Sequence, residues 1–526
     1  MSPLAGDLLV LSIDLGTSGV RVAAVDLAGH THASATRSVA MHLGAGGTAE
    51  EDPEEIWRAL GHAVQEAFSG APEAAQRVGA ILCDSQYSSL VPVDATGIPV
   101  GPLVLYLDSR GGPASRALTN DHPEIVPLWL ERHGMVSSGG GSDSLAHLLW
   151  FQNDRPEIHA KAHAYVEPMD YVTARLTGRV TANIGTLFPF LLTDNRAGST
   201  GGWCEEMIDV SGVDRSRLPE LVAPDSAVGE LLPEHASAWG LPKGIVVFSA
   251  VNDTHALAIG TASHLGSRLG VSIGTTLVPT TLVESMRSDL ACFLLTQPAS
   301  IPDRHILMAE GGLGGKALDF VLEHLIYARD LMGDHRPEDA FARLEAAADT
   351  APPGADGVVF LPWLTGSWAP SGNGRARGAF LNLGLETTRP HMVRAVLEGV
   401  GCQLAWMLPA IEALTGRSHD ELVFGAGGAE SDAWAQILAD VCNRPVLQLA
   451  EPRLTNCRGA ALLAFHRLGH LDLDDADDHL VVRRRYEPRA EHRSLYDEQL
   501  ARYVLAHERL RPLFPGARMK ETNDDR

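Results

Sequence analysis

Two short stretches of the 526-residue chain share a pattern suited to holding phosphate. In Asp14-Leu-Gly-Thr-Ser-Gly-Val-Arg21 a carboxylate ends an apolar run and leads into a glycine turn, whose N–H groups and two hydroxyls suit a metal-bound polyphosphate. Ser272-Ile-Gly-Thr-Thr276 repeats the turn about half the chain later. Two such turns, one from each half, can pinch one triphosphate between them. A third stretch, Phe248-Ser-Ala-Val-Asn-Asp253-Thr-His255, follows an apolar run and places Asp253 at a strand end, where it could accept a proton from an attacking hydroxyl. An Asp there could equally cap a helix starting near His255. A fourth, Val423-Phe-Gly-Ala-Gly-Gly-Ala-Glu-Ser-Asp432, runs through three glycines into a helical pattern. It admits either a nucleobase or phosphate against the backbone, or simply close strand–helix packing.

Three look-alikes fail on their details. Gly311-Gly-Leu-Gly-Gly-Lys316-Ala lacks both the first glycine and the magnesium-binding hydroxyl of a P-loop. Gly270-Val-Ser272-Ile-Gly274 has the spacing of a hydrolase elbow, but a strand pattern follows where that elbow needs a helix. Gly425, Gly427 and Gly428 give G-x-G-G, which is not a dinucleotide fingerprint.

These motifs need strands to present them. Residues 8–13 and 20–27 read as the arms of one hairpin, and 268–273 and 277–283 as the arms of another. Strand-like runs at 78–83, 90–93 and 104–107 alternate with a helical pattern at 143–153. Further on come helices near 315–327 and 391–414, an irregular stretch at 360–378, and a strand–glycine–helix unit at 421–442. The expected class is α/β, with two related domains, residues 1–262 and 263–515, and a polar tail, 516–526.

Composition narrows the partners. With 66 acidic and 42 basic residues the formal charge is −24, which repels a nucleic acid, so a small anion would need a local cradle. Six scattered cysteines offer no zinc or disulfide spacing, and the 22 histidines include no H-E-x-x-H. No run approaches the ~18 apolar residues of a membrane span, and no basic segment precedes an apolar one at the N-terminus. The expectation is a cytoplasmic protein with neither membrane nor nucleic-acid contacts; a homodimer is compatible with the sequence, which does not set the oligomeric state.

The order Asp-x-Gly-Thr-Ser-Gly, Asp253, Ser-Ile-Gly-Thr-Thr, Gly-Ala-Gly-Gly-Ala resembles the FGGY family of carbohydrate kinases, in the actin-like ATPase superfamily. The likeness spans residues 8–504. Tyr106-Leu-Asp108-Ser-Arg110, Leu148-Leu-Trp-Phe-Gln-Asn153, His391-Met-Val-Arg-Ala-Val-Leu-Glu398-Gly-Val400 and the spacing of Tyr486, Tyr496 and Tyr503 add to it. The resemblance implies two ribonuclease-H-like domains around a central cleft that closes over ATP and Mg²⁺. It implies that Asp14 helps position the metal through water, that Thr17, Ser18, Arg21 and Thr275 contact phosphate, and that Gly315, Gly428 and Asp432 line the adenosine pocket. Asp253 would be the general base, with Gln86, Tyr87, Ser88, Asp108 and Thr254 beside it around the sugar.

Departures from the family pattern cluster at the sugar end. Gln86-Tyr-Ser-Ser89 stands where xylulokinases have Gln-Met-His-Gly, and Thr254 follows Asp253 where they have Asn. His147 occupies the lysine position of one family signature, and Asn382 the glycine position of the other. The expected function is transfer of the γ-phosphoryl of ATP to a hydroxyl of a small sugar, with a xylulose-like ketopentose first. The alternatives are another ketose or polyol of ribulose, erythritol or glycerol type, or a non-catalytic nucleotide- or sugar-binding module. Retention of both Asp14 and Asp253 argues against the module.

Overall fold

The computed structural model describes residues 7–17, 19–196, 199, 201–301, 304–328 and 336–514. Ser18 and the tail 516–526 lie outside the described residues.

Leu9–Gly16 (β1) and Gly19–Val25 (β2) form the first hairpin, antiparallel, with Gly16 opposite Gly19. Thr31–Arg37 (β3) extends it on one side. On the other side β1 pairs in parallel with Val78–Ser85 (β4), which brings Asp14 opposite Asp84. Ala227–Glu230 (β5) and Val246–Phe248 (β6) complete that edge, and Val251–Asn252 (β7) returns to β4 with Asn252 opposite Ser85. Both faces of this sheet are covered, so β1 reads as a near-continuous apolar run rather than an alternating one. Pro53–Ser69 (α1) packs on one face, and Ser144–Asp154 (α2) belongs to a separate cluster behind it.

The second half repeats the plan. Arg268–Ile273 (β8) and Leu277–Thr280 (β9) form an antiparallel hairpin. Leu294–Pro298 (β10) and His305–Ala309 (β11) belong to a small sheet beside it. Glu421–Gly425 (β12) runs parallel to β8, followed by Val446–Leu449 (β13) in parallel and Val482–Tyr486 (β14) antiparallel. In both halves, then, the phosphate-type turn joins a hairpin whose first strand has a parallel neighbour. The expected strand 277–283 is broken at Thr281, whose hydroxyl turns back onto the Arg268 carbonyl at 3.2 Å and His419 at 3.1 Å. The expected helix 315–327 is α-helical only over Gly315–Val321, then widens over Leu322–Ile326.

Two helices join the halves. Asp253–Gly260 (α3) and Thr455–Arg467 (α7) pack on the second face of the first sheet, so a helix from late in the chain shares a core with Val10, Ala23, Ala80 and Leu82. Gly315–Val321 (α4), Arg389–Thr415 (α5) and Asp432–Cys442 (α6) pack in the other core. Asn382, at the glycine position noted above, has φ 62°, so asparagine keeps the left-handed backbone that glycine would supply.

The signature residue Glu398 is structural. It is fully buried on α5 and binds Arg394 at 2.8 Å, the Tyr496 hydroxyl at 2.9 Å, Gln499 at 3.0 Å and the Gly354 N–H at 2.9 Å. Tyr496 and Gln499 lie on Arg493–Leu510 (α8), so one carboxylate fastens the last helix. Glu398→Ala leaves the buried Arg394 charge without its carboxylate, held only by the Ala348 and Ala351 carbonyls and the Tyr496 hydroxyl, with an expected loss of about 3–5 kcal/mol in urea unfolding. A loss below about 1 kcal/mol, the range of an exposed pair, would contradict this role.

Candidate active site

A cleft of about 1090 Å³ opens between the halves, and both phosphate-type turns line it. The hydroxyls of Thr17 and Thr275 face each other at 3.4 Å across that cleft. The second turn is tied to the start of α4: Gly315 N–H donates to the Gly274 carbonyl at 2.8 Å, and Gly314 N–H to Thr275 at 3.0 Å. A side chain at Gly315 would strike the Gly274 carbonyl at 2.6 Å, and one at Gly428 would strike Ile273 at 2.9 Å. Both glycines line the cleft, and both also permit close packing.

Asp14 and Asp253 line the floor, with Asp84 buried behind them. Asp14 ends β1 and is almost fully buried, with Arg21 from β2 ion-paired to one of its oxygens. Asp84 ends β4 beside it, fully buried, with no hydrogen-bond partner for either oxygen. Burial, then the charges of Asp14 and Asp253, push the Asp84 carboxyl well above the usual range. Asp253 opens α3, but it is not the cap. Asn252 takes that work, accepting from His255 N–H at 3.0 Å, and its amide reaches Gln297 on β10 at 3.0 Å. The Asp253 carboxylate therefore lines the cleft, with a weak 3.4 Å contact to the Thr254 hydroxyl. Burial, then the charge of Asp14, raise its pKa to about 7. Asp84 escapes a reading of sequence because Cys83-Asp-Ser-Gln86 matches no phosphate pattern; only the sheet register brings it to Asp14.

Gln86, Tyr87, Ser88 and Thr254 line the end of the cleft next to Asp253, with Tyr106, Phe293, Glu310 and Trp368. The loop after β4 is held from behind by buried Glu167, which accepts from Ser89 N–H at 3.0 Å and from the Ser144 hydroxyl. Ser88 sits at φ 59°, a strained turn that aims the loop. Asp108 is not part of the lining. Its buried carboxylate is consumed by Ala49 N–H at 2.8 Å, Arg110 N–H at 2.9 Å and the Arg110 guanidinium at 2.7 Å, which corrects the expectation that it faces the sugar. His147 is buried behind it, with Nε2 3.2 Å from the Asp108 carbonyl.

Four cations line the cleft: Arg21, Lys316, Arg453 and Arg483. Lys316 belongs to the segment dismissed as a P-loop, yet its place at the start of α4 still gives the cleft a cation. Asp432 lines the same region, but Gln448 at 3.0 Å and Arg483 at 3.2 Å already occupy its carboxylate. No group of three or more His, Cys, Asp or Glu among the described residues forms a metal cage.

The profile of the FGGY family of carbohydrate kinases, N-terminal domain, matches residues 9–260, and that of the C-terminal domain matches residues 271–468. The chain is 28% identical to a xylulose kinase of Escherichia coli over 87% of this chain and 89% of that one. It is 24% identical to a gluconokinase of Bacillus subtilis over 90% of both. The structure of xylulose kinase from Rhodospirillum rubrum superposes with a TM-score of 0.80 at 25% identity, covering 96% of this chain and 99% of that one.

The Asp253 shift carries a stability consequence. Its carboxyl is neutral in both states below the ordinary value of 3.8, and burying its charge costs progressively more as pH rises from there to about 7. Asp253→Asn is therefore expected to raise the apoprotein's melting temperature by a few degrees at about pH 8 and by less at about pH 5. Equal shifts at both pH values in thermal melts would contradict the burial argument.

Proposed function

The chain belongs to the FGGY family of carbohydrate kinases, and from that premise we propose that it phosphorylates a small sugar, a xylulose-like ketopentose being the first candidate. The observation that carries the reading is the placement of Asp253: a carboxylate relieved of capping by Asn252, next to the cleft end that Gln86, Tyr87 and Thr254 line. Asp253 takes the proton of the acceptor hydroxyl, the hydroxyl oxygen bonds to the γ-phosphorus of ATP, and the bond from that phosphorus to the bridging oxygen breaks to leave ADP. The Thr17 and Thr275 hydroxyls, 3.4 Å apart, would donate side by side to the transferred group, with Arg21 and Lys316 as nearby positive charge.

The residues also fit a divalent cation. Arg21 takes one oxygen of Asp14, and Asp84 leaves two buried oxygens unpartnered, a hard oxygen set suited to Mg²⁺ that keeps several waters. Asp14 would hold it, and when bound it neutralises charge on the phosphate oxygens. That ATP and the sugar meet in this cleft, which sugar it is and which hydroxyl reacts are all parts of the proposal.

ADP release with Mg·ATP, measured across pentuloses, hexuloses, tetritols, glycerol and gluconate, tests this. We expect one dominant acceptor, and Asp253→Ala to lower its turnover by at least ~100-fold while nucleotide binding persists. Wild-type turnover in that variant would overturn the role of Asp253. Silence across the panel with intact ATP binding would favour a binding module.

A further inference from the structure

The segment that carries the base is held from both halves of the chain. Asn252 ends β7, opposite Ser85 on β4, and its side-chain oxygen caps α3 by accepting from His255 N–H at 3.0 Å. That bond fixes the carboxamide: with the oxygen on the helix, the nitrogen faces the other way. It donates to the Gln297 side-chain oxygen at 3.0 Å, with a longer approach of 3.4 Å to the Gly185 carbonyl. Gln297 lies on β10, in the second half of the chain, and is fully buried. Three residues on, the buried Ser300 hydroxyl meets His255 Nδ1 at 2.6 Å. The first turn of α3, which opens on Asp253, is therefore tied twice to one segment of the opposite half.

The residue types suit that arrangement. Serine, threonine and aspartate also cap helices, but among the usual caps asparagine alone accepts from the helix and presents an amide donor on its far side. Gln297, in turn, has its Nε2 buried with no partner among the described residues, a cost that an apolar side chain of the same length would avoid. Packing does not call for a glutamine there; the oxygen it offers Asn252 does. The small sheet that carries Gln297 also walls the cleft, through Leu295 on β10 and Ala309 on β11. One strand of the second half thus lines the cleft and holds the cap beside Asp253.

Resting on the kinase reading, we propose that Gln297 is a positioning residue for Asp253: through the amide of Asn252 it sets the first turn of α3, and with it the place of the carboxylate that takes the acceptor proton. A base must stand within hydrogen-bond reach of that proton, and a displacement of about 1 Å costs up to ~100-fold in rate. Because Gln297 and Asp253 come from opposite halves, the base is in register when the halves are seated against each other along β10 and α3. Proton transfer is thereby tied to the arrangement that also brings the two phosphate-type turns together.

The test uses the full chain and the best acceptor from the panel. Gln297→Met keeps the length of the side chain and removes its accepting oxygen; it is expected to lower kcat roughly 10- to 100-fold while the KM values for ATP and acceptor change little. Asn252→Ser keeps a cap for α3 and loses the amide, so it should fall as far, and the two together no further than either alone. In an Asp253→Ala background Gln297→Met should leave the residual turnover unchanged, because the group it positions is gone. A merely structural residue would lower turnover by the same factor with or without Asp253. An unchanged kcat in either single variant, or an equal fall in the Asp253→Ala background, would overturn the proposal while leaving the kinase reading intact. Should Gln297→Met fail to fold, the same comparison with Asn252→Ser decides. If the wild type phosphorylates no acceptor, the kinase reading and this inference fall together.

Discussion

The 3.4 Å approach of Thr17 to Thr275 is the constraint around which the molecule is arranged. Each threonine follows or adjoins a strand that is paired in parallel with a neighbour in its sheet. A net charge of −24 makes such an arrangement necessary. On the proposed kinase reading, a polyphosphate is not drawn in by the field of the whole protein, so local groups would have to hold it: backbone N–H groups, hydroxyls and a few cations. The shared core formed by α3 and α7 fixes how the two turns meet, since α3 starts at Asp253 and α7 packs against it from the other end of the chain.

The same strands concentrate carboxylates at the floor. Register places Asp84 beside Asp14, and β7 delivers Asp253 to the same spot. Two buried carboxyls, Asp14 and Asp84, with Asp253 half-buried beside them and Arg21 as the close cation, make this part of the cleft electrostatically unfavourable. A raised Asp253 suits a proton acceptor operating near neutrality, and the unpartnered oxygens of Asp84 suit a cation that arrives with its own water.

Much of this was legible in the sequence because it is local. The two hairpins announce themselves as apolar runs around glycine–threonine turns, and Asp253 as a carboxylate after an apolar strand. Where the chain departs from its family, the local physics still speaks: Asn382 tolerates the left-handed backbone that a glycine would adopt. What was not legible depends on partners far away in the chain. Asp108 looked available until Arg110 and the Ala49 N–H were seen to consume it. Asp84 and Glu310 carry no pattern of their own, and the fold alone brings each into the cleft region.

The most direct test of the account is the structure of the full chain with a non-hydrolysable ATP analogue, Mg²⁺ and the accepted sugar. The account predicts the γ-phosphoryl hydrogen-bonded to both Thr17 and Thr275, with the acceptor hydroxyl within ~3 Å of the Asp253 carboxylate. A γ-phosphoryl held elsewhere in the cleft, or a reacting hydroxyl bonded to Asp84 or Glu310 instead of Asp253, would contradict it.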